Sequence, residues 1–399
     1  MTFPLPIPDD LRRVLPPGTG VLLGISGGVD SAVTLALLRS LDCDVQCVTF
    51  KNFCYADDDA FTDKSCCSLE AIDEARRLAR AYDAPHWVGD VEKPFRQNVI
   101  DPFVADYTAA RTPNPCLDCN SVVRFPELVR LADRQGCALA ATGHYARITR
   151  DDHGAHLYRG LDPAKDQSYF LHRIDRALFP RLVFPLGWFV KSQVREAARQ
   201  LGIKAADKRD SQEICFVPDG DRTFLFEQVP DADRRALAPG DIVDRQGEIL
   251  GRHRGLIHYT IGQRKGLGVA APDPLYVLEL DLETGRLIVG PREALQARTV
   301  TGDDFSAAVD GLPTHWKAGD RLPGCPDGGS VLLGIRHRHA GAPVREWVRQ
   351  DDRIRVELAE PVDGPAPGQG LVLYAGDLVL GGGRITAQGR AGGKGTLRP

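Results

Sequence analysis

The sequence predicts an α/β protein: a doubly wound parallel sheet first, then a small β-rich domain, then a C-terminal β-barrel. Three observations carry that expectation. Up to about residue 217, short apolar runs alternate with segments of helical period, as β-α-β units require. The first unit is joined by a glycine-rich turn, Gly24-Ile25-Ser26-Gly27-Gly28-Val29-Asp30-Ser31. Beyond 217 the helical period fades, and short alternating segments follow one another between Gly, Pro and Asp turns.

Length supports the division, because 399 residues exceed what one ordinary core organises. The expected domains are 1–217, 218–297 and 298–399. With 43% hydrophobic and 26% charged residues the composition is that of a soluble globular protein, and no apolar run approaches a membrane span. The Pro-rich start MTFPLPIPDDLRRVLPPGTG lacks the basic and apolar regions of a secretory signal and reads as an extension lying on the first domain. A cytoplasmic location is expected, with the 10 cysteines in a reducing compartment where thiols serve chemistry or metals, and the chain is expected to be a monomer. A net charge of −4 argues against a general nucleic-acid coat, but Arg252-His253-Arg254 with Arg264-Lys265 forms a local basic patch.

In chain order, Val21 to Ile25 reads as the first strand, and Ala32 to Leu38 continues the helix that the glycine turn opens. Val45 to Phe53 is a second strand, and Tyr55 to Asp63 an acidic, exposed loop. Ser68 is placed to cap a helix whose apolar face is Leu69, Ile72, Ala75, Leu78, Ala79 and Tyr82. A third strand at His86 to Val91 precedes helical patterns around Ile100 to Arg111 and Phe125 to Gln135. A strand from Ala138 to Thr142 then runs into Gly143-His144-Tyr145. Ligands bind at the carboxyl ends of such strands, so the glycine turn, the end of the second strand and Gly143-His144 are expected to share one site. After Pro218-Asp219-Gly220-Asp221, the β signals include Pro274 to Leu280, Ser330 to Arg336, Asp352 to Leu358, Gly370 to Tyr374 and Leu378 to Leu380.

The glycine turn reads as a phosphate cradle, since its backbone N–H groups and the following helix N-terminus favour an anion. No lysine completes a Walker pattern, which needs GxxxxGK[ST]. Asp30 stands in the turn instead, suited to a Mg²⁺ that carries the β and γ phosphates of ATP together. SGGVDS after a strand resembles the signature of the N-type ATP pyrophosphatases, which cleave ATP to AMP and pyrophosphate through an adenylated intermediate.

The cysteines give the second line. Cys116 and Cys119 form one C-x-x-C, and Cys215 stands far away. A zinc ribbon wants a second such pair, which is lacking because Cys66 and Cys67 are adjacent. Cys43, Cys47 and Cys137 lie in apolar segments as small buried residues, whereas Cys54, Cys66, Cys67 and Cys325 have no assigned role. Adenylation makes a carbonyl oxygen a good leaving group, and a thiolate is a strong nucleophile, so sulfur insertion at an activated carbonyl joins the two lines. Two other readings stand beside it. Another ATP pyrophosphatase, such as an argininosuccinate synthetase, would not need these cysteines, and a non-enzymatic RNA-binding or redox module would release no pyrophosphate.

GISGGVDS, RTPNPCLDCN, ATGHYAR, KDQSYFL, DSQEICFVPDGD, YTIGQRKGLGV, APGQ and LGGG occur in that order from Val21 to about Arg384. In this the chain resembles the bacterial tRNA-specific 2-thiouridylases, which replace the C2 oxygen of the wobble uridine with sulfur. The resemblance implies that Gly24 to Ser31 hold the ATP phosphates, with Phe50 and Gly143 near the adenosine. It implies a persulfide on Cys215, delivered by a sulfur-relay protein or cysteine desulfurase, and a second catalytic thiol at Cys119. Asn114, Pro115 and Cys116 would face the target base, while His144, Lys165, Asp166, Gln167, Arg336, His337 and Gln369 would contact tRNA. His337 stands where the family has an aromatic residue, and Cys116 where many members have an Asp proposed as acid/base, with Asp118 two residues on. Cys116, Cys119 and Cys215 together also resemble the ligand set of thiouridylases that use a [4Fe–4S] cluster, so that route stands beside the persulfide one.

Overall fold

The computed structural model describes residues 2–53, 69–207, 214–217, 225–226, 235–323 and 329–389. The expected cap Ser68, the acidic loop Tyr55 to Asp63, Cys54, Cys66, Cys67, Cys325, Asp210 to Glu213 and the Pro218 to Asp221 turn lie outside the described residues. The chain divides into two compact units. One comprises Met1–Asn98, Asp118–Gly220 and Asp377–Val379, the other Val99–Leu117, Asp221–Gly376 and Leu380–Pro399.

The first unit is built on a parallel sheet. Its strands are β1 (Gly20–Gly24), β2 (Asp44–Lys51), β3 (His86–Asp90), β4 (Leu139–Ala141) and, after an antiparallel hairpin of β5 (Ala146–Asp151) and β6 (Gly154–Arg159), β7 (Leu182–Val183). The sheet order is β3-β2-β1-β4-β7, with Val21 opposite Val45 on one side and Leu139 on the other. Central parallel strands are covered on both faces, and Val21, Leu22 and Leu23 are accordingly buried. The helix Val29–Ser40 is buried over most of its circumference, as an apolar stretch from Val33 to Leu38 with almost no charge allows. Arg39 and Ser40 end it at the surface.

The Pro-rich start does more than lie on this unit. Phe3, Leu11 and Leu15 join its core, and the Phe3 ring meets Phe189 edge-on at 6.1 Å. Cys43 and Cys47 are core residues as expected, and burial pushes their thiols up to about 11 and about 12.

In the second unit, β8 (Gly240–Val243), β9 (Ile249–His253), β10 (Tyr276–Asp281) and β11 (Arg286–Gly290) form a small sheet in the order β10-β11-β8-β9. The remaining strands are β12 (Gln296–Ala307), β13 (His315–Lys317), β14 (Val331–Gly334), β15 (Ala342–Gln350), β16 (Arg353–Asp363), β17 (Gly370–Ala375) and β18 (Leu378–Gly389). Six of them run β12-β16-β15-β14-β17-β18, and β12 pairs with β18 to close the barrel, so the unpaired edges of an open sheet disappear. Trp316 on β13 and Trp347 on β15 are buried and stacked 4.6 Å apart, each indole N–H donating to a main-chain carbonyl.

Candidate active site

The glycine turn has the geometry of a phosphate cradle. Gly27 takes φ +72°, a conformation that side chains strain to adopt, and a Cβ there would also stand 3.2 Å from the Ala71 carbonyl oxygen. Ser31 closes the turn from inside: its hydroxyl donates to the Gly28 carbonyl at 3.0 Å and accepts from the Ser26 N–H at 3.3 Å. Gly28 is the N-cap of the following helix and offers no side-chain cap, so the N-terminal N–H groups depend on another acceptor such as an anion. Gly143, at the end of β4, lies directly against this helix start; a Cβ on it would be 3.0 Å from the Asp30 carbonyl carbon and 3.1 Å from the Ser31 nitrogen. Phe50 lies at the end of the neighbouring strand, half-buried over Gly89. The structure therefore gathers the first turn, Gly143 and the end of β2 at the carboxyl edge of one parallel sheet.

Sequence reading missed the cation. Lys191, the first residue of the helix Lys191–Gln200, is 6% exposed and donates to both Asp30 carboxylate oxygens at 2.7 Å. The Tyr145 hydroxyl donates to the same carboxylate at 2.7 Å, and the ammonium lies 5.4 Å from the centre of the Tyr145 ring. A lysine in the first helical turn opposes the helix dipole, so a buried one needs an anion, and here Asp30 is that anion. Among the described residues, three hydrogen bonds thus reach the Asp30 carboxylate, which offers about four lone-pair sites.

The thiols are placed differently from one another. Cys116 is exposed and Cys119 buried, at the start of the π-helical turn Cys119–Arg124. Cys215 is half-buried, and its neighbour Phe216 is anchored edge-on against Phe95. Asp118 does not replace the carboxylate missing at position 116, because it is buried and ion-paired with Arg173 at 2.9 Å. Among the described residues no group of three or more His, Cys, Asp or Glu stands where it could hold a metal ion.

Several expected tRNA contacts are engaged inside their own units. Asp166 is buried and accepts from the Gly160 and Ser168 N–H groups and the Ser168 hydroxyl. Gln167 pairs with the Tyr145 main chain in both directions, at 2.8 and 2.9 Å. The His144 ring packs against Phe125 and Phe184 and hydrogen-bonds the Thr142 hydroxyl; burial first, then Arg124, lowers its pKa to about 3, so it is a neutral imidazole. Lys165 is half-buried. In the other unit, Gln369 donates to the Thr112 carbonyl at 2.9 Å while Thr112 donates to Pro367, which ties the Ala366–Gln369 loop to the residues just before Asn114, Pro115 and Cys116. Arg336 is exposed and donates to the Asp363 carbonyl, and His337 is half-buried. Of the basic patch, Arg254, Arg264 and Lys265 are exposed, whereas His253 is buried between Gly285 and Gly255 as a turn anchor.

Comparison with known proteins matches three successive stretches of the chain. Family profiles match residues 19–219 as "tRNA methyl transferase HUP domain", 231–291 as "tRNA methyl transferase PRC-barrel domain" and 321–385 as "Aminomethyltransferase beta-barrel domain". The chain is 42% identical over 373 residues to the tRNA-specific 2-thiouridylase MnmA of Geobacter metallireducens, covering 92% of this chain and 96% of that one. It is 42% identical over 379 residues to the protein of that name from Methylorubrum extorquens, covering 93% and 94%. Solved structures overlap loosely. A 4-thiouridine synthetase–RNA complex with bound ATP shares 19% identity over 53% of this chain and 51% of that one, at a TM-score of 0.32. The NMN synthetase of Francisella tularensis shares 18% over 49% and 67%, at 0.31. No helix among the described residues is long and apolar enough to cross a membrane.

Proposed function

The chain belongs to the tRNA-specific 2-thiouridylase family, a family of tRNA sulfurtransferases, and from that premise we propose how its own residues thiolate the wobble uridine of tRNA with ATP. The observation that supports this reading is the glycine turn with Lys191 buried against its Asp30. Methyl transfer, which two profile descriptions name, needs neither a phosphate cradle nor a set of thiols; adenylation followed by sulfur transfer needs both.

Gly24 to Ser31 hold the triphosphate, with Phe50 and Gly143 beside the nucleoside and Lys191 balancing charge at the β and γ phosphates. Asp30 would hold a Mg²⁺, which would supply further charge neutralisation on those phosphates. The C2 oxygen of the uridine attacks the α phosphorus, pyrophosphate leaves, and the base carries AMP. The outer sulfur of a persulfide on Cys215 then attacks C2 and AMP departs. The Cys119 thiolate attacks the inner sulfur, leaving the outer one on the base and a Cys119–Cys215 disulfide that an external dithiol reduces. Sulfur reaches Cys215 from a relay protein or cysteine desulfurase. Residues 1–217 carry this chemistry in a cytoplasmic monomer, with Asn114, Pro115 and Cys116 at the target base. Domains 218–297 and 298–399 bind tRNA largely through phosphates, and the base is splayed out to be reached.

Thiouridine and AMP formation by wild type, Cys116→Ser, Cys119→Ser and Cys215→Ser tests this, with either a persulfide donor or free sulfide. The persulfide route expects loss in Cys119→Ser and Cys215→Ser only. Loss in all three, with free sulfide sufficient for wild type, would replace it by the three-thiol cluster.

A further inference from the structure

The segment Asp166 to Arg173 does something that its reading as a tRNA contact leaves out. It grips the Cys119 turn from both sides. Before the thiol, Asp118 receives the Arg173 guanidinium at 2.9 Å, both side chains being at most 15% exposed. After it, the Asn120 amide donates to the Phe170 carbonyl at 3.0 Å, with Asn120 4% exposed. The gripping segment is itself fixed. Asp166 holds both Ser168 groups and the Gly160 N–H. Gln167 holds Tyr145, whose hydroxyl reaches the Asp30 carboxylate of the phosphate cradle. Bonded steps therefore connect the nucleotide cradle with the two residues that flank the thiol.

We propose that Arg173, acting through Asp118, and the Phe170 carbonyl, acting through Asn120, position the Cys119 thiol for sulfur transfer, and that Gln167 and Tyr145 couple this clamp to nucleotide occupancy of the cradle. This deepens the proposed function and rests on Cys119 being the second catalytic thiol. A buried charge pair and a buried amide bond hold one geometry far more tightly than exposed contacts do, because breaking either leaves an unsatisfied polar group inside. A misplacement of about 1 Å at a reacting group costs on the order of 10²-fold in rate. A phosphate that draws the Lys191 ammonium away from Asp30 changes the carboxylate to which the Tyr145 hydroxyl is bonded, and the clamp passes that change along a packed, hydrogen-bonded path.

The test separates the two half-reactions in the full-length enzyme. Arg173→Ala is expected to keep tRNA-dependent AMP formation within about threefold of wild type while thiouridine per AMP falls by about tenfold or more, and Arg173→Lys to recover part of that yield. Peptide-resolved alkylation of Cys119 by iodoacetamide, with and without a non-hydrolysable ATP analogue, reads the coupling. Wild type is expected to change its labelling rate with the analogue, and Gln167→Ala to lose that response while still binding the analogue. Equal losses of AMP and thiouridine in Arg173→Ala, or an unchanged response in Gln167→Ala, overturns the clamp. Circular dichroism of each variant keeps a folding defect from counting as either outcome. Cys119→Ser is the separate control: thiolation surviving in it refutes the catalytic reading of Cys119 and not the clamp geometry.

Discussion

Replacing Lys191 by Met keeps the length and packing of the side chain and removes only the ammonium that Asp30 holds at 2.7 Å through both oxygens. Removing one partner of a fully buried ion pair costs roughly 3–5 kcal/mol. Lys191 is 6% exposed, but the Asp30 side chain retains 32% of its surface, so water recovers part of the lost interaction. A cost of about 2 kcal/mol in stability follows, too small to unfold the unit. The effect on chemistry is larger, because pyrophosphate builds negative charge as it leaves, and one preorganised charge aimed at such a site is worth about 10²–10³-fold in rate. The expected result is a Lys191→Met enzyme with wild-type circular dichroism and AMP formation lowered about 10²-fold. Radiolabelled ATP, resolved by thin-layer chromatography with unmodified tRNA present, measures it. The double variant with Asp30→Asn should lose little more than either single one, as residues acting on the same group are non-additive. AMP formation by Lys191→Met within about threefold of wild type would refute the assignment and leave the pair a purely structural one.

Three further outcomes are expected. Gly143→Ala places a Cβ at 3.0–3.1 Å from the Asp30 and Ser31 backbone, so the helix start must shift; ATP affinity should drop while urea unfolding changes by about 1–3 kcal/mol, and unaltered nucleotide binding would contradict the close approach. His144 has a folded-state pKa near 3, below its ordinary 6.5, so the unfolded chain binds the extra proton and the neutral ring's contribution is lost as pH falls from about 6.5 towards 3. Chemical-denaturant midpoints across that window should fall more steeply for wild type than for His144→Gln, and parallel curves would rule the assignment out. Arg264→Glu should weaken tRNA binding and lower the slope of log K against log salt by about 1, whereas identical titrations at all salt concentrations would remove Arg264 from the tRNA surface.

What the sequence made legible is what was local. The cradle announces itself because strand, glycine turn and helix are contiguous, and the conformational demand at Gly27 is met by the residue type alone. The C-x-x-C is likewise a short-range pattern. Lys191 was illegible for the opposite reason: its partner is 161 residues away, and a lysine after an apolar segment reads as the first exposed residue of a helix. The hairpin β5–β6 and strands β12 and β15 escaped notice because their alternation is interrupted by polar residues on the outward face, which only barrel closure or a paired neighbour makes sense of.

The Lys-Asp-Gln motif shows that tertiary context decides where polar atoms are committed. Lys165, Asp166 and Gln167 read in sequence as a polar, solvated helix start. Asp166 and Gln167 nevertheless point inward, where their polar atoms answer main-chain N–H groups that a loop between β6 and a short helix would otherwise bury without partners. The same accounting disposes of Asp118 as a replacement for the carboxylate missing at position 116: paired with Arg173, it is engaged in holding the turn on which Cys119 stands. A residue type that fits a chemical role is thus only half of an assignment. The other half is whether its polar atoms are already committed, and for Asp30, Asp118, Asp166 and Gln167 those commitments run from the glycine turn to the turn that carries Cys119.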